Sequence, residues 1–188
     1  EKAKKRYNIS FNNYFILLYH PETQDIKKIK KDTNNLIKSL LETKEKFIVI
    51  YPNNDFGFKE IIKIYKKSFK NNGNFKIISS LRFEYFLTML KNSRMIIGNS
   101  SAGVREAPIY GIPSLNLGSR QKNRAKSKSI FNSNFSKRKI LFYIKNRSNQ
   151  KFKMSKIFGK GDSAKKIFKI LNDQKVWKTS KQKYLNIN

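Results

Sequence analysis

The stretch "MIIGNSSAGVREAPIYGIPSLNLGSRQ", Met95 to Gln121, decides how the chain is read. It begins with a short apolar run that ends on Gly98, where the absence of a Cβ lets the backbone turn sharply. Ser100 or Ser101 is a natural cap for a helix beginning near Ala102. "GVREAPIYG" (Gly103–Gly111) then reads as that short helix, and "IPSLNLG" (Ile112–Gly118) as a second apolar strand. Strand, glycine turn, helix and strand in this order form the unit from which parallel sheets are assembled.

The same alternation continues outward in both directions. "YFILLY" (Tyr14–Tyr19) is a continuous apolar run, as expected of a strand covered on both faces, "KFIVIYP" (Lys46–Pro52) reads as a second buried strand and "FKII" (Phe75–Ile78) as a third strand. Between them, Ile26, Ile29, Ile37, Leu40 and Leu41 recur near a 3.6-residue period. So do Ile61, Ile64, Tyr65 and Phe69, and again Phe83, Phe86, Leu87 and Leu90. "NNG" at Asn71–Gly73 stops the second of these helices. Gln121 to Arg138 reads as a loop rich in Lys, Ser and Asn, and "KILFYI" (Lys139–Ile144) as a sixth strand. "GDSAKKIFKIL" (Gly161–Leu171) reads as a closing helix, with Asp162 or Ser163 as N-cap and Ile167, Ile170 and Leu171 facing inward. The predicted fold class is α/β: a Rossmann-like parallel sheet with helices on both faces, spanning residues 1–174, followed by a basic tail or terminal helix at 175–188.

Composition narrows the function classes. A hydrophobic fraction of 38% supports a packed core rather than disorder. No apolar run reaches the ~18 residues that a membrane span requires, and "EKAKKRYNIS" has no signal-peptide core, so the expected location is cytoplasmic. With no cysteines, disulfides and thiolate metal sites are excluded. The formal charge of +30 invites a polyanion partner. The lysines are nevertheless spread along the whole chain and accompanied by Asn and Ile, as a drift toward A/T-rich codons produces. Scattered charge screened over ~8 Å makes a poor specific site, so a basic surface is preferred to a nucleic-acid-binding module. The chain begins at Glu1 and reads as a piece of something longer.

Ligands of doubly wound sheets bind beyond the carboxyl ends of the strands. Here those ends carry His20, Asn53-Asn54-Asp55, Ser79-Ser80-Leu81, Gly98-Asn99-Ser100-Ser101 and Gly118-Ser119-Arg120-Gln121. Ser100 and Ser101, beside the free amides of a helix start, suit a phosphate or diphosphate. Glu106, about one and a half turns further on, suits a ribose diol. The same residues also fit an ordinary strand–loop–helix junction with serine caps and a solvated Glu106. His20, the only histidine, is either a structural hydrogen-bonding residue or a partner of that anion, since a pKa near ~6.5 allows donor or acid behaviour. No Walker loop, metal cluster or Ser-His-Asp set is visible.

"GNSSAGVREAPIYGIPSLNLGSRQKNR", together with "YHPET", "YPNNDFG" and "FGKGDSAKKIFKIL", resembles the hydrolysing UDP-N-acetylglucosamine 2-epimerases over about Tyr14 to Leu171. "GNSS" and "RQ" look more like the hydrolysing than the non-hydrolysing branch. The resemblance implies a GT-B architecture of two Rossmann-like domains, of which this is the C-terminal one. It implies that Ser100 and Ser101 hold the diphosphate of UDP and Glu106 the ribose. His20, Asn53 and Arg120 complete the site, and the backbone near Leu81 meets the uracil. His20 is the candidate to assist UDP departure. No cofactor or metal is implied. The implied partners are UDP, a UDP-N-acetylhexosamine, the absent N-terminal domain and, at full length, further copies of the chain. The proton-transfer carboxylates would belong to the absent domain, so this chain alone is expected to be inactive. Another GT-B enzyme, whether a non-hydrolysing epimerase or a glycosyltransferase, remains the alternative.

Overall fold

The computed structural model describes residues 1–23 and 26–179. A first compact unit runs from Glu1 to Ser155. It opens with α1 (Lys2–Arg6), after which strands and helices alternate: β1 (Phe15–Leu18), α2 (Ile26–Glu42), β2 (Phe47–Ile50), α3 (Phe58–Ser68), β3 (Phe75–Ile78), α4 (Phe83–Lys91) and β4 (Ile96–Gly98). Two 3₁₀ turns (Ser101–Gly103 and Ala107–Tyr110) lead to β5 (Ser114–Leu117), which is followed by β6 (Ile130–Ser133) and α5 (Lys137–Arg147). The six strands lie in the order β3-β2-β1-β4-β5-β6, and every neighbouring pair is parallel. The order reverses between β1 and β4, which places the topological switch point, and the crevice such sheets use for ligands, above those two strands.

The two-residue period of the strands sorts the core into two layers. Phe15, Leu17 and Tyr19 join Phe47, Val49 and Ile97 in the cluster covered by α2, α3 and α5. Tyr14, Ile16 and Leu18 join Ile48, Ile50 and Ile96 in the cluster covered by α1, α4 and the 3₁₀ turns. Helix α2 turns Ile29, Leu36, Ile37 and Leu40 inward, and its buried Thr33 hydroxyl donates to the Ile29 carbonyl at 2.6 Å. Each fully buried aliphatic or aromatic side chain stabilises this arrangement by roughly 1.5–3 kcal/mol.

The region after β5 departs from the sequence reading. The sixth strand is Ile130–Ser133, inside the segment expected to be a loop, whereas "KILFYI" lies within α5. Of its apolar run, Ile140 and Ile144 are buried, Phe142 is 52% exposed, and Tyr143 stacks on Phe131. An i, i+4 pair facing a core makes a helix face, and a contiguous run of five apolar residues conceals that spacing. The edge strand β6, IFNS, is too polar to announce itself.

The expected helix at Gly103–Gly111 is also different: it is two separate 3₁₀ turns, the second with Pro108 in its first turn and Gly111 closing it at φ 67°. The amides of Arg105 and Glu106 donate to the carbonyls of Ser101 and Ala102 in α-helical fashion, but Pro108 has no amide to carry that pattern on, so the segment stays in short turns rather than one α-helix.

From Lys156 a second unit begins, which within the described residues carries α6 (Ser163–Leu171) and α7 (Gln174–Lys178). Asp162 stands at the N-cap of α6, though its carboxylate pairs with Lys166 at 2.9 Å rather than with a backbone amide. Ile167, Ile170 and Leu171, expected to face inward, are about half exposed. A unit of this length is too small to enclose a core of its own. Asp173 caps α7, and the Trp177 indole donates to the Leu171 carbonyl. Of the stretch read as a tail, residues 180–188 lie outside the described residues. Among the described residues no helix is long and apolar enough to cross a membrane.

Candidate functional site

At the switch point β1 and β4 meet more closely than side chains normally allow. Gly98 pairs with Leu18, and a Cβ on Gly98 would stand 2.0 Å from the Leu18 carbonyl oxygen. With φ at 137° as well, only glycine fits. Just beyond, the fully buried Asn99 side chain continues the pairing of the two strands. Its Oδ1 accepts from the His20 amide at 2.7 Å and its Nδ2 donates to the His20 carbonyl at 2.9 Å. One side-chain amide therefore satisfies both backbone groups of His20 and fixes where the imidazole emerges.

The imidazole is oriented in turn by the loop after β2. The Asn53 backbone amide donates to His20 Nδ1 at 3.0 Å, so Nδ1 is the bare nitrogen and the proton sits on Nε2. Burial, and then the positive charge of Arg120, push the pKa of His20 down to about 4, against the opposing pull of the Asn53 side chain and Asp55. His20 is thus a neutral ring near pH 7, with an N–H to donate.

Five of the seven residues singled out in the sequence line one cleft of about 310 Å³: His20, Leu81, Ser100, Ser101 and Glu106. Its floor is apolar, formed by Leu18 and Ile50 at the ends of β1 and β2, and Phe83 and Phe86 of α4 form its side. Asn53 and Arg120 are not in its lining. Asn53 acts on His20 as described, and its own Nδ2 donates to Asp55 Oδ2 while its buried Oδ1 has no partner. Arg120 donates from one guanidinium nitrogen to the Asn99 carbonyl at 3.3 Å and stands 3.7 Å from Asp55 through another. A larger cavity of about 680 Å³ lies over Tyr19, Ile29 and Phe135 on the other side of the sheet and gathers none of the seven.

The serine loop differs in one respect from the expected helix start. Ser100 does cap, its hydroxyl oxygen accepting from the Ala102 amide at 3.3 Å. The amides of Gly103, Val104 and Arg105, however, donate to the carbonyls of Ser100 and Ser101 within the tight turn. The Ser100 hydroxyl, whose oxygen is the part that accepts, still has its proton to give. Asn99, Asp55 and Glu22 tie the loops together; Asn99 and Asp55 stand on the rim expected from sequence without an assigned role, and Glu22 is not among its candidates. An Asn following a wholly apolar strand was the one available signal.

Comparison with known proteins fits this geometry. The family model described as UDP-N-acetylglucosamine 2-epimerase matches residues 1–172. A UDP-N-acetylglucosamine 2-epimerase of Neisseria meningitidis is 35% identical over 100% of this chain and 51% of its own length. A hydrolysing UDP-N,N'-diacetylbacillosamine 2-epimerase of Legionella pneumophila is 30% identical over 83% of the chain and 41% of its own. The structure of Methanocaldococcus jannaschii UDP-GlcNAc 2-epimerase, in complex with UDP-GlcNAc and UDP, superposes with a TM-score of 0.73 at 22% identity, covering 91% of this chain and 48% of that one. More distantly, E. coli heptosyltransferase WaaC with ADP shares the sheet at a TM-score of 0.53 and 9% identity. The chain spans about half the length of the relatives it matches, and its six-stranded sheet corresponds to about half of a GT-B structure. The family model, the 35% identity and the shared sheet agree: the chain belongs to the UDP-N-acetylglucosamine 2-epimerase family.

Proposed function

We propose that this chain is the C-terminal, UDP-binding half of a hydrolysing UDP-N-acetylhexosamine 2-epimerase. The observation that carries the reading is the convergence of His20, Ser100, Ser101 and Glu106 on one cleft at the switch point, with an apolar floor. In this reading the Ser100 and Ser101 hydroxyls donate to the diphosphate, Glu106 accepts from the ribose diol, and the uracil lies along the backbone near Leu81. Arg120 supplies positive charge and Asn53 holds His20 in its donor tautomer. The hydrolysing branch is supported by the relatives so named from Legionella pneumophila and Campylobacter jejuni.

The full-length reaction in this reading removes the sugar C2 proton and expels UDP in an anti elimination, giving a glycal. Water then adds, releasing the free 2-epimerised sugar. His20 serves the elimination as a neutral Nε2–H donor to the departing diphosphate, not as an imidazolium acid, because Nδ1 is already committed to the Asn53 amide. The carboxylates that move the C2 proton are assigned to the other half. General acid–base groups contribute roughly 10²–10⁴-fold each, so the chain by itself is expected to bind and not to turn over.

Thermal stabilisation by UDP is the test: a rise in Tm that saturates with UDP, and that falls away in Glu106→Ala with the unliganded Tm unchanged, is expected. No response to millimolar UDP from a folded chain would sink the proposal. A nucleotide-sugar glycosyltransferase is the second reading, favoured by the sheet shared with the heptosyltransferase. Product analysis of the full-length protein separates the two, because free amino sugar with UDP and no acceptor marks the epimerase.

A further inference from the structure

Glu22 lies two residues after His20, outside the cleft. Its Oε1 accepts from the Ser119 amide at 3.1 Å and its Oε2 from the Ser119 hydroxyl at 2.9 Å. The buried Asn99 amide also points at Oε1, at 3.5 Å. The carboxylate is seated against the backbone of Gly118: a Cβ there would stand 2.1 Å from Oε1, and φ is 76°. The loop after β5 is therefore shaped to receive this one side chain. The residue that follows Ser119 is Arg120, whose guanidinium reaches the Asn99 carbonyl. A ring of contacts thus runs from the β1 loop through Glu22 to Ser119, on to Arg120, and back through Asn99 to His20.

A charge-assisted pair of hydrogen bonds from one carboxylate is the strong kind, and it fixes direction as well as distance. Arg120 has a long side chain whose useful reach depends on where its backbone is held. With Ser119 clamped, the guanidinium is delivered to the rim beside the Ser100 loop. Without the clamp, the same guanidinium must order its own backbone when it meets an anion, which costs affinity. We infer that Glu22 is a positioning residue: it locks Gly118–Ser119 onto the β1 loop and so holds Arg120 ready for the diphosphate. The inference rests on the UDP reading given above.

A double-mutant cycle on the 188-residue chain, read as UDP affinity with uridine as the control ligand, tests it. Glu22→Ala is expected to weaken UDP about tenfold, the size typical of directly coupled residues, and to leave uridine binding unchanged. In an Arg120→Ala background the same substitution should make no further difference. Glu22→Gln, whose amide oxygen can still accept from the Ser119 amide, should recover part of the loss. Ser119→Ala, which removes the hydroxyl half of the clamp from the other side, should weaken UDP by about two- to threefold. Equal losses for UDP and uridine, or losses that multiply in the double variant, would make Glu22 a generic structural residue and overturn the inference. So would UDP binding that Glu22→Ala leaves intact. If the unaltered chain binds no UDP, the functional reading falls first and this inference with it, an outcome told apart by the wild-type measurement alone.

Discussion

The two faces of the sheet are built to different standards. On one, three helices of 11 to 17 residues, α2, α3 and α5, cover a layer in which Phe47, Phe75 and Phe69 stack in series at centroid spacings of 5.1 and 4.0 Å. On the other, the cover is the nine-residue α4, the five-residue α1 and two 3₁₀ turns, and the ends of β1 and β2 are left as the floor of a cleft. Close packing gives stability and leaves no room. The stack fills the middle of the dense face, and the larger cavity lies away from it over Tyr19, Ile29 and Phe135, while the cleft that gathers the candidate site residues opens on the thinly covered face.

The largest effect should come from the dense face. Phe47→Ala removes a fully buried ring stacked between Phe15 and Phe75 and should cost about 3–5 kcal/mol of unfolding free energy in a urea titration. A loss under about 1 kcal/mol would erase the proposed contrast. Next is the hinge between the faces. Asn99→Ala leaves the His20 amide and carbonyl without their partner. It should cost roughly 1–3 kcal/mol and also weaken UDP, coupling stability to binding where the dense face does not.

Much of this contrast was legible in the residues, and the exceptions have identifiable causes. β1, β2 and β4 declared themselves because a strand covered on both faces is apolar throughout, and β3 and β5 did so as short, largely apolar runs set between turn residues. In sequence α5 reads as a strand because "ILFYI" is contiguous, while only Ile140 and Ile144 of it are buried. The rim positions followed from strand order, so His20, Ser100, Ser101 and Glu106 could be placed at one end of the sheet from their spacing. What was hidden is the pairing of residues far apart in the chain: Asn99 with His20, Glu22 with Ser119, and Asn53 with the Nδ1 side of the ring. None of these leaves a periodicity.

His20 offers a sharper probe, because it is the only histidine and its ring can be followed alone by proton NMR. Its folded pKa is lowered to about 4 from 6.5. Between those values the unfolded chain binds a proton that the folded chain does not. Stability from this residue is therefore complete above pH 6.5 and lost as pH falls through about 4. A ring titrating near 6.5 in the folded chain would contradict its neutral-donor role. His20→Gln should flatten the stability profile between pH 4 and 6.5. The smallest expected effect is at Phe142, whose ring is half exposed on α5. Phe142→Ser should change stability by no more than about ±0.5 kcal/mol, where a strand reading of the same segment would have buried the residue.

The Asn99–His20 pair also says something about when the protein becomes functional. Its two residues are 79 positions apart, and the close approach at Gly98 requires β1 and β4 to be side by side first. Contacts of such long sequence separation form only after the intervening loop has been closed, and they are slow to form. As the chain leaves the ribosome, everything from β1 to α4 can emerge with the binding crevice still unmade. In the proposed reading the crevice is complete only once β4, the serine loop and the loop after β5 have docked beside β1, so nucleotide binding would report on long-range assembly rather than on partial order.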